Sequence, residues 1–187
     1  MFDYPVISTN SAYLNLVKKQ LSKYKIRKYK IILEPFKKNT APAILSSVLL
    51  KEIPSNQPMI FFTSDNLIGK ISKFNKSINF YKKYLRNNNI FIFGIKINTP
   101  SSEYGYFLTK KNSKNINKVY RFIEKPNKNK AKMILKKKGY MNAGMFFARK
   151  DSLNNSFKEH QRKIFELCND SINRSRSINN VYYLNKT

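Results

Sequence analysis

The chain has 187 residues, enough for one domain with a core, and its hydrophobic fraction of 41% excludes a wholly disordered protein. Its apolar runs are too short to cross a bilayer and its start lacks the pattern of a secretory signal, so we expect a cytoplasmic protein without a membrane partner. A single cysteine, Cys168, excludes an internal disulfide and a cysteine-cluster metal site.

The formal net charge of +27 is the most unusual feature of the composition. Such a charge is compatible with a nucleic-acid-binding protein, but the lysines are spread along the whole chain instead of gathering in one stripe or tail. Lys, Asn and Ile are abundant together, as an AT-rich coding sequence tends to make them, so solvated basic faces are the favoured interpretation. Under either interpretation the charge predicts non-specific binding of polyanions at low salt.

Hydrophobic periodicity predicts alternating strands and helices along the chain. The predicted elements are a strand over 5–9, a helix capped by Asn10 or Ser11, a strand over 29–34, a helix capped by Thr40, a strand over 59–63, a helix over 71–85, strands over 90–97, 104–109 and 119–124, a helix over about 129–138, a strand over 145–148 and helical turns to Ile172. Gly139 is placed to end the lysine-rich helix in the left-handed conformation. The order predicts an α/β domain with a mostly parallel sheet over 1–172 and a polar C-terminal tail over 173–187.

Three acidic residues stand at predicted strand ends, where ligands of open α/β sheets bind. They are Glu34, Asp65 and Glu124, out of ten acidic residues in all. An acidic residue in such a place is as often a turn or N-cap residue, and both interpretations stay open. Asp65 is the best metal candidate, because Mg²⁺ takes carboxylate oxygens and substrate phosphates and one or two Asp can suffice. The only histidine, His160, lies in a charged helical stretch, so neither a histidine cluster nor a Ser–His–Asp site is indicated.

The five glycines exclude the common phosphate-binding loops within these residues. They stand at positions 69, 94, 105, 139 and 144, too far apart for a G-x-G-x-x-G segment or a P-loop. A triphosphate bound by this chain would therefore have to be held by other groups.

A series of segments, in order, resembles the mannose-1-phosphate guanylyltransferases, a family of sugar nucleotidyltransferases that includes bifunctional isomerase–guanylyltransferases. The segments are ILEPFKKNTAPAI (Ile32–Ile44), similar to E-P-x-x-R-N-T-A-P-A-I; TSDN (Thr63–Asn66), similar to S-D-H; EYGY (Glu103–Tyr106), similar to T-G-Y-G-Y; FIEKP (Phe122–Pro126), similar to F-x-E-K-P; and NAGMF (Asn142–Phe146), similar to N-S-G-M-F. The first segment is highly specific, and the others are strong only as a series.

The resemblance implies a Rossmann-like (GT-A-like) nucleotidyltransferase domain that transfers a guanylyl group from GTP to mannose 1-phosphate, with Mg²⁺, and releases pyrophosphate. It assigns Glu34, Pro35, Asn39 and Thr40 to nucleotide binding, Gly105, Glu124 and Asn142 to sugar binding, Lys125 to the phosphate of the sugar, and Asp65 to the metal ion. Asp65 and Lys125 are the implied catalytic residues. Such a reaction requires positioning and charge neutralisation without a covalent intermediate.

The sequence also departs from the family pattern. Lys38, Asn66 and Ala143 replace the usual Arg, His and Ser. The first strand with its G-x-G-T-R-L-W-P loop has no counterpart, and Asp170 lacks the context of the second metal ligand. We therefore expect a domain without its first βα unit, inactive alone, with GTP, mannose 1-phosphate and a complementing N-terminal polypeptide as partners. A non-catalytic remnant, a sugar-phosphate-binding subunit and, less favoured, a basic nucleic-acid-binding protein are the alternatives.

Overall fold

The computed structural model describes residues 3–36, 39–86, 88–113 and 116–185, without the side chains of residues 112 and 113. The chain forms two compact units. Unit 1 consists of Met1–Pro58, Leu85–Asn89 and Arg149–Thr187, and unit 2 consists of Met59–Tyr84 and Ile90–Ala148. Within the described ranges no helix is both long and apolar enough to span a membrane.

The strands and helices follow the predicted order. They are β1 (Val6–Asn10), a 3₁₀ turn (Ser11–Tyr13), α1 (Leu14–Lys23), β2 (Lys30–Glu34), α2 (Thr40–Val48), β3 (Pro58–Phe61), α3 (Ile71–Lys82), β4 (Ile90–Ile95), β5 (Tyr106–Ser113), β6 (Ile116–Ile123), α4 (Lys128–Lys136), β7 (Tyr140–Arg149), α5 (Lys150–His160), α6 (Arg162–Asn173), β8 (Arg176–Ile178) and β9 (Val181–Tyr183). Each predicted element has a counterpart, although β7 begins at Tyr140 and not at Met145. The α/β character expected from the alternation is confirmed.

The sheet of unit 1 has the strand order β1-β2-β9-β8. Strands β1, β2 and β9 are parallel, and β8 is antiparallel to β9. The apolar centre of β2 is buried, as expected for a strand covered on both faces. A hydrophobic core cluster of unit 1 contains Leu21 of α1, Ile31 and Leu33 of β2, and Val181 of β9. The side chain of Asn10 accepts a hydrogen bond from the backbone nitrogen of Ala12 at 3.1 Å and so caps the 3₁₀ turn, whereas the cap position of α1 is Tyr13, which makes no capping hydrogen bond.

Strands β8 and β9 lie in the segment that the sequence describes as a polar tail. The structure instead makes residues 176–178 and 181–183 part of the unit 1 sheet, and Val181 is 1% exposed. Each strand has three residues, so neither gives a measurable period in a polar sequence. Strand β9 pairs with β2 in parallel register, which a local pattern cannot reveal.

The sheet of unit 2 has the order β3-β7-β5-β6, with β4 also paired to β7. The registered pairs β4–β7, β5–β6 and β5–β7 are all antiparallel. The expectation of a mostly parallel sheet is therefore correct for unit 1 and wrong for these pairs of unit 2. The reason is that an uninterrupted apolar run indicates burial on both faces but not strand direction.

The end of α4 also differs from the sequence prediction. Lys138, and not Gly139, takes the left-handed conformation, with φ of 58°. Gly139 donates a backbone hydrogen bond to the carbonyl oxygen of Ile134 at 3.0 Å. A Cβ on Gly139 would lie 2.5 Å from Ile134 Cγ2, so a close approach to the helix explains this glycine.

Candidate active site

Three of the predicted site residues form a row in unit 2, one directly after β6, one directly before β5 and one within β7. Tyr106 is registered with both Ile123 and Met141, so the preceding Gly105 faces Glu124 on one side and Asn142 on the other. The backbone nitrogen of Asn142 donates to the carbonyl oxygen of Gly105 at 2.8 Å. We call Glu124, Gly105 and Asn142 the polar row.

The space above Gly105 is occupied by two side chains of the protein itself. A Cβ on Gly105 would lie 2.7 Å from Glu124 Oε2 and 2.9 Å from Phe122 Cζ. A real Cβ does not approach a heavy atom so closely, so the carboxylate and the ring can keep these positions only while residue 105 is glycine. The resemblance explains Gly105 by the approach of a sugar, and that role stays a prediction.

Asp65 lies in a turn after β3 that packs against β7. The backbone nitrogen of Thr63 donates to Asn66 Oδ1 at 3.2 Å, and Asn66 Nδ2 donates to the carbonyl oxygen of Ala143 at 3.4 Å. Ala143 follows Asn142 of the polar row directly in β7. A hydrogen bond from the Thr63 side chain holds the pKa of Asp65 below its ordinary value. The turn that carries the exposed, ionised Asp65 therefore contacts β7 next to Asn142.

A bulge in β7 shapes the backbone next to Asn142. Between the registered pairs Ile92–Phe146 and Gly94–Asn142, β7 contains two more residues than β4. Gly144 lies in the extra segment with φ of 69°, and its nitrogen donates to Asn142 Oδ1 at 3.2 Å. Bulges of this kind change the direction of a strand and reorient nearby side chains.

Lys125 has an unfavourable backbone conformation for its residue type. Its φ is 38°, in the left-handed region, and it stands between Glu124 of the polar row and the buried Pro126. A left-handed conformation costs a residue with a side chain about 1–2 kcal/mol. Strained backbone of this kind is frequent at ligand sites, where the fold holds a side chain in place. The side chain of Lys125 is exposed, and the residue directly follows Glu124 of the polar row.

The predicted nucleotide residues all belong to unit 1. The Ser8 hydroxyl donates to the Glu34 carboxylate, and Asn10 Nδ2 donates to the Glu34 carbonyl oxygen at 3.3 Å. Strand β1 therefore holds both the side chain and the backbone of Glu34. Pro35 follows it and is half-buried.

Asn39 and Thr40 mark the start of α2. Asn39, and not Thr40 as the sequence suggests, occupies the cap position, and its φ is 66°. Its side chain makes no capping hydrogen bond to the helix. Thr40 is the first helical residue, and both side chains are exposed. Lys38 lies outside the described residues.

The comparisons with known proteins identify the family. Residues 2–186 match the family model described as nucleotidyl transferase. The chain belongs to this family. It is 30% identical over 176 residues to a mannose-1-phosphate guanylyltransferase of Klebsiella pneumoniae, and 27% identical over 178 residues to the alginate biosynthesis protein AlgA of Pseudomonas fluorescens. These matches cover 90% and 92% of the chain, which spans 37% of the length of each relative.

Solved structures support the same fold for this nucleotidyl transferase. A crystal structure of mannose-6-phosphate isomerase from Helicobacter pylori has a TM-score of 0.85 and 26% identity, over 97% of this chain and 72% of the other. A Thermus thermophilus protein described as mannose-1-phosphate geranyltransferase has a TM-score of 0.76 over 96% of this chain and 58% of the other. Its identity of 16% is informative about the fold alone.

The donor groups of unit 2 fit a magnesium ion shared with a substrate. The described residues of this nucleotidyl transferase contain no group of three or more His, Cys, Asp and Glu side chains that could hold a metal ion by themselves. Asp65 offers one ionised, solvent-facing carboxylate. Mg²⁺ keeps several water ligands and is commonly bound through one or two carboxylates together with substrate phosphates. One carboxylate is therefore compatible with such an ion.

Sequence patterns missed several residues that assemble the site of this nucleotidyl transferase. Ser8 and Asn10 hold Glu34, and Thr63 lowers the pKa of Asp65. The parallel register of β1 and β2 places Asn10 opposite Glu34, so correct strand pairing would have pointed to Asn10. Phe122 lies beside Gly105, and its position in the F-x-E-K-P segment does not predict this contact.

Proposed function

We propose that this nucleotidyl transferase uses mannose 1-phosphate and GTP, and that unit 2 binds the sugar phosphate. The observation that carries the proposal is the assembly of the polar row beside the Asp65 turn. It puts a carboxylate, an amide side chain and a possible metal ligand within one unit, as a polyhydroxylated, phosphorylated substrate requires. The mannose-1-phosphate guanylyltransferase of Klebsiella pneumoniae, with its 30% identity, supports the choice of substrates.

The proposed roles follow from the chemistry of the side chains. Glu124 and Asn142 accept and donate hydrogen bonds to sugar hydroxyls, because a carboxylate accepts and an amide does both. Lys125 contacts the sugar phosphate through its ammonium group, which is a compact point charge. Asp65 holds Mg²⁺, which when bound neutralises phosphate charge. In unit 1, Glu34 and Asn39 contact the nucleotide.

The proposed reaction is a nucleotidyl transfer. An oxygen of the sugar phosphate attacks the α-phosphorus of GTP in line, a new P–O bond forms, and the bond to the departing pyrophosphate breaks. The residues of this chain contribute by holding the attacking phosphate and by restricting the orientation of the sugar. Because the substrate oxygen is the nucleophile, the proposal requires no covalent enzyme intermediate.

Binding is the activity we expect the 187 residues to show most readily. They contain no glycine-rich loop for a triphosphate, so we expect slow or undetectable pyrophosphate release without a complementing polypeptide. Within the part of the chain that the structure describes, β1 is an edge strand of the unit 1 sheet, and this edge supports such a partner. Strand β1 ends the sheet and contains no charged residue, in a chain with 37 Lys and Arg. An edge without charge, proline or bulge is open to pairing with another strand.

A comparison of the affinities for two ligands tests the proposal. Isothermal titration calorimetry with Mg²⁺ should show tighter binding of mannose 1-phosphate than of inorganic phosphate, at a salt concentration that suppresses non-specific binding. Glu124→Gln should weaken the binding of mannose 1-phosphate at least tenfold, because a charge-assisted hydrogen bond contributes about 1.5–3 kcal/mol. Glu159→Gln is the matched control, since Glu159 is exposed on α5 in unit 1. Equal affinity for both ligands, or unchanged affinity after Glu124→Gln, would contradict the proposal.

Pyrophosphate release separates catalysis from binding alone. The assay combines the chain with GTP and mannose 1-phosphate, with and without a polypeptide that carries a strand and a G-x-G-T-R-like loop. Turnover that depends on the added polypeptide supports the transferase. Sugar-phosphate binding without turnover in either mixture favours the second candidate, a non-catalytic sugar-phosphate-binding subunit.

A further inference from the structure

Three aromatic rings form a second row beside the polar row in unit 2. Phe107 of β5 is registered with Phe122 of β6 and with Tyr140 of β7. The ring centroids of Phe107 and Phe122 are 6.4 Å apart at 15°, and those of Phe107 and Tyr140 are 5.7 Å apart at 24°. We call these three residues the aromatic row.

The two rows lie on the same face of the sheet. Each member of the aromatic row is two residues from a member of the polar row along its strand: Phe122 from Glu124, Phe107 from Gly105, and Tyr140 from Asn142. Side chains two residues apart on a strand point to the same face and are separated by about 7 Å. The aromatic rings therefore border the whole length of the polar row.

The members of the aromatic row differ in their exposure to solvent. Phe107 is 3% exposed, whereas Phe122 is 46% exposed. At the other end Phe107 and Tyr140 pack closely against Gly94 of β4, where a Cβ would lie 2.6 Å from Phe107 Cζ and 2.7 Å from Tyr140 Cβ. At the exposed end the edge of the Phe122 ring meets the backbone of Gly105. The exposed ring of Phe122 therefore lies next to the carboxylate of Glu124.

This arrangement matches the two-sided chemistry of a pyranose ring. A hexopyranose has a face of C–H groups and a rim of hydroxyl groups, so a binding site for it needs an aromatic surface next to hydrogen-bonding groups. Phe122 provides such a surface, and Glu124 and Asn142 provide the hydrogen-bonding groups. A phosphate ion or the triphosphate of a nucleotide has no apolar face and would gain nothing from the ring.

We propose that Phe122 is the platform on which the C–H face of a hexopyranose 1-phosphate rests, and that it makes the site select a sugar phosphate over phosphate. The inference rests on the proposed function and adds a specificity-determining residue to it. The Phe122 ring lies nearly parallel to that of Phe107, and the missing side chain at Gly105 leaves room for it next to Glu124.

Substitution at Phe122 tests the inference through affinity for different ligands. Phe122→Leu keeps an apolar side chain but removes the flat face, and should weaken binding of mannose 1-phosphate about three- to tenfold, as expected for one aromatic contact. Binding of inorganic phosphate should stay unchanged. Phe122→Tyr should restore the affinity for the sugar phosphate. The control is Tyr120→Leu, which removes a 52% exposed ring from the same strand and should leave both affinities unchanged.

A fluorescent variant gives a second measurement. The chain contains no tryptophan, so Phe122→Trp introduces a single reporter at the proposed platform. Its emission should change with mannose 1-phosphate and stay constant with inorganic phosphate. This variant keeps an aromatic ring, so the test does not depend on the stability of Phe122→Leu.

The outcomes distinguish the inference from the proposed function. Wild-type protein without preference for mannose 1-phosphate over phosphate would overturn both. Wild-type preference that persists in Phe122→Leu would overturn only the platform. A loss of affinity for guanosine 5′-monophosphate instead of mannose 1-phosphate would also overturn it, because the ring would then face the base.

Discussion

Replacing Gly105 with alanine tests how tightly the polar row is assembled. The new Cβ would lie 2.7 Å from Glu124 Oε2 and 2.9 Å from Phe122 Cζ, where ordinary contact begins at 3.4 Å. The carboxylate must then retreat by roughly 0.7 Å and the ring by about 0.5 Å. Both side chains are exposed and can turn into solvent, so we expect the free energy of unfolding to fall by only about 1 kcal/mol, the low end for overpacking.

The effect of Gly105→Ala on ligand binding should be larger than its effect on stability. Displacement of Glu124 removes a charge-assisted hydrogen bond to the sugar, worth about 1.5–3 kcal/mol, so mannose 1-phosphate should bind at least tenfold more weakly. Gly139→Ala provides the matched control in unit 2. Its Cβ would meet Ile134 Cγ2 at 2.5 Å and the Ile134 carbonyl oxygen at 2.9 Å, which helix backbone cannot easily relieve. It should destabilise by about 1–3 kcal/mol and leave the ligand affinity unchanged.

Urea unfolding followed by circular dichroism gives the stability of both variants, and calorimetry gives their affinity for mannose 1-phosphate. The expected result is an opposite ranking in the two assays. Wild-type affinity in Gly105→Ala would refute the argument, because it would show that Glu124 and Phe122 can move without consequence for the ligand.

Further predictions concern charged groups and their hydrogen bonds. Thr63→Val should raise the pKa of Asp65 in an NMR titration, because it removes the hydrogen bond from the hydroxyl. In the wild type this hydrogen bond contributes stability above the ordinary pKa of an aspartate, and the contribution is lost as the pH falls through the lowered pKa of Asp65; the variant should lack it. An unchanged pKa would contradict the role of the hydroxyl. Burial raises the pKa of Glu52, but hydrogen bonds led by that from Tyr182 lower it overall, so Tyr182→Phe should reduce the loss of stability on acidification, measured by urea unfolding between about pH 6 and pH 3. Lys150→Met should destabilise by about 2 kcal/mol in urea, because Lys150 Nζ donates to two backbone carbonyl oxygens at 2.6 and 2.7 Å; a change below about 0.5 kcal/mol would contradict this. Retention on heparin should fall steeply with salt, and retention that survives moderate salt would indicate a specific polyanion site.

Local sequence patterns predicted the elements better than their pairing. The apolar face of α2 follows a helical period and β2 is a short continuous apolar run, so the positions of both could be predicted from a few residues of sequence. Pairing depends on residues far apart in the chain. Strand β4 is an apolar run that fits either direction, and β9 is too short to give a period, although it lies next to β2. The antiparallel pairs and the final strands therefore required the structure.

The candidate site shows the same limit. The strand-end rule placed Asp65 in a turn after β3, where its turn packs on β7. The rule could not show that Gly105 is crowded by Glu124 and Phe122, because this contact depends on the register of β5 and β6. Nor did the sequence predict a left-handed Lys125, since a residue before proline favours extended backbone.

The left-handed backbone at Lys125 has a consequence for protein engineering. A search for more stable variants would favour glycine at this position, because glycine adopts φ of 38° without a steric penalty. The same substitution would delete the ammonium group that we assign to the sugar phosphate. Selection for thermal stability should therefore favour glycine at position 125, whereas selection for ligand binding should favour lysine. A library screened only by melting temperature would lose the ammonium group at this position.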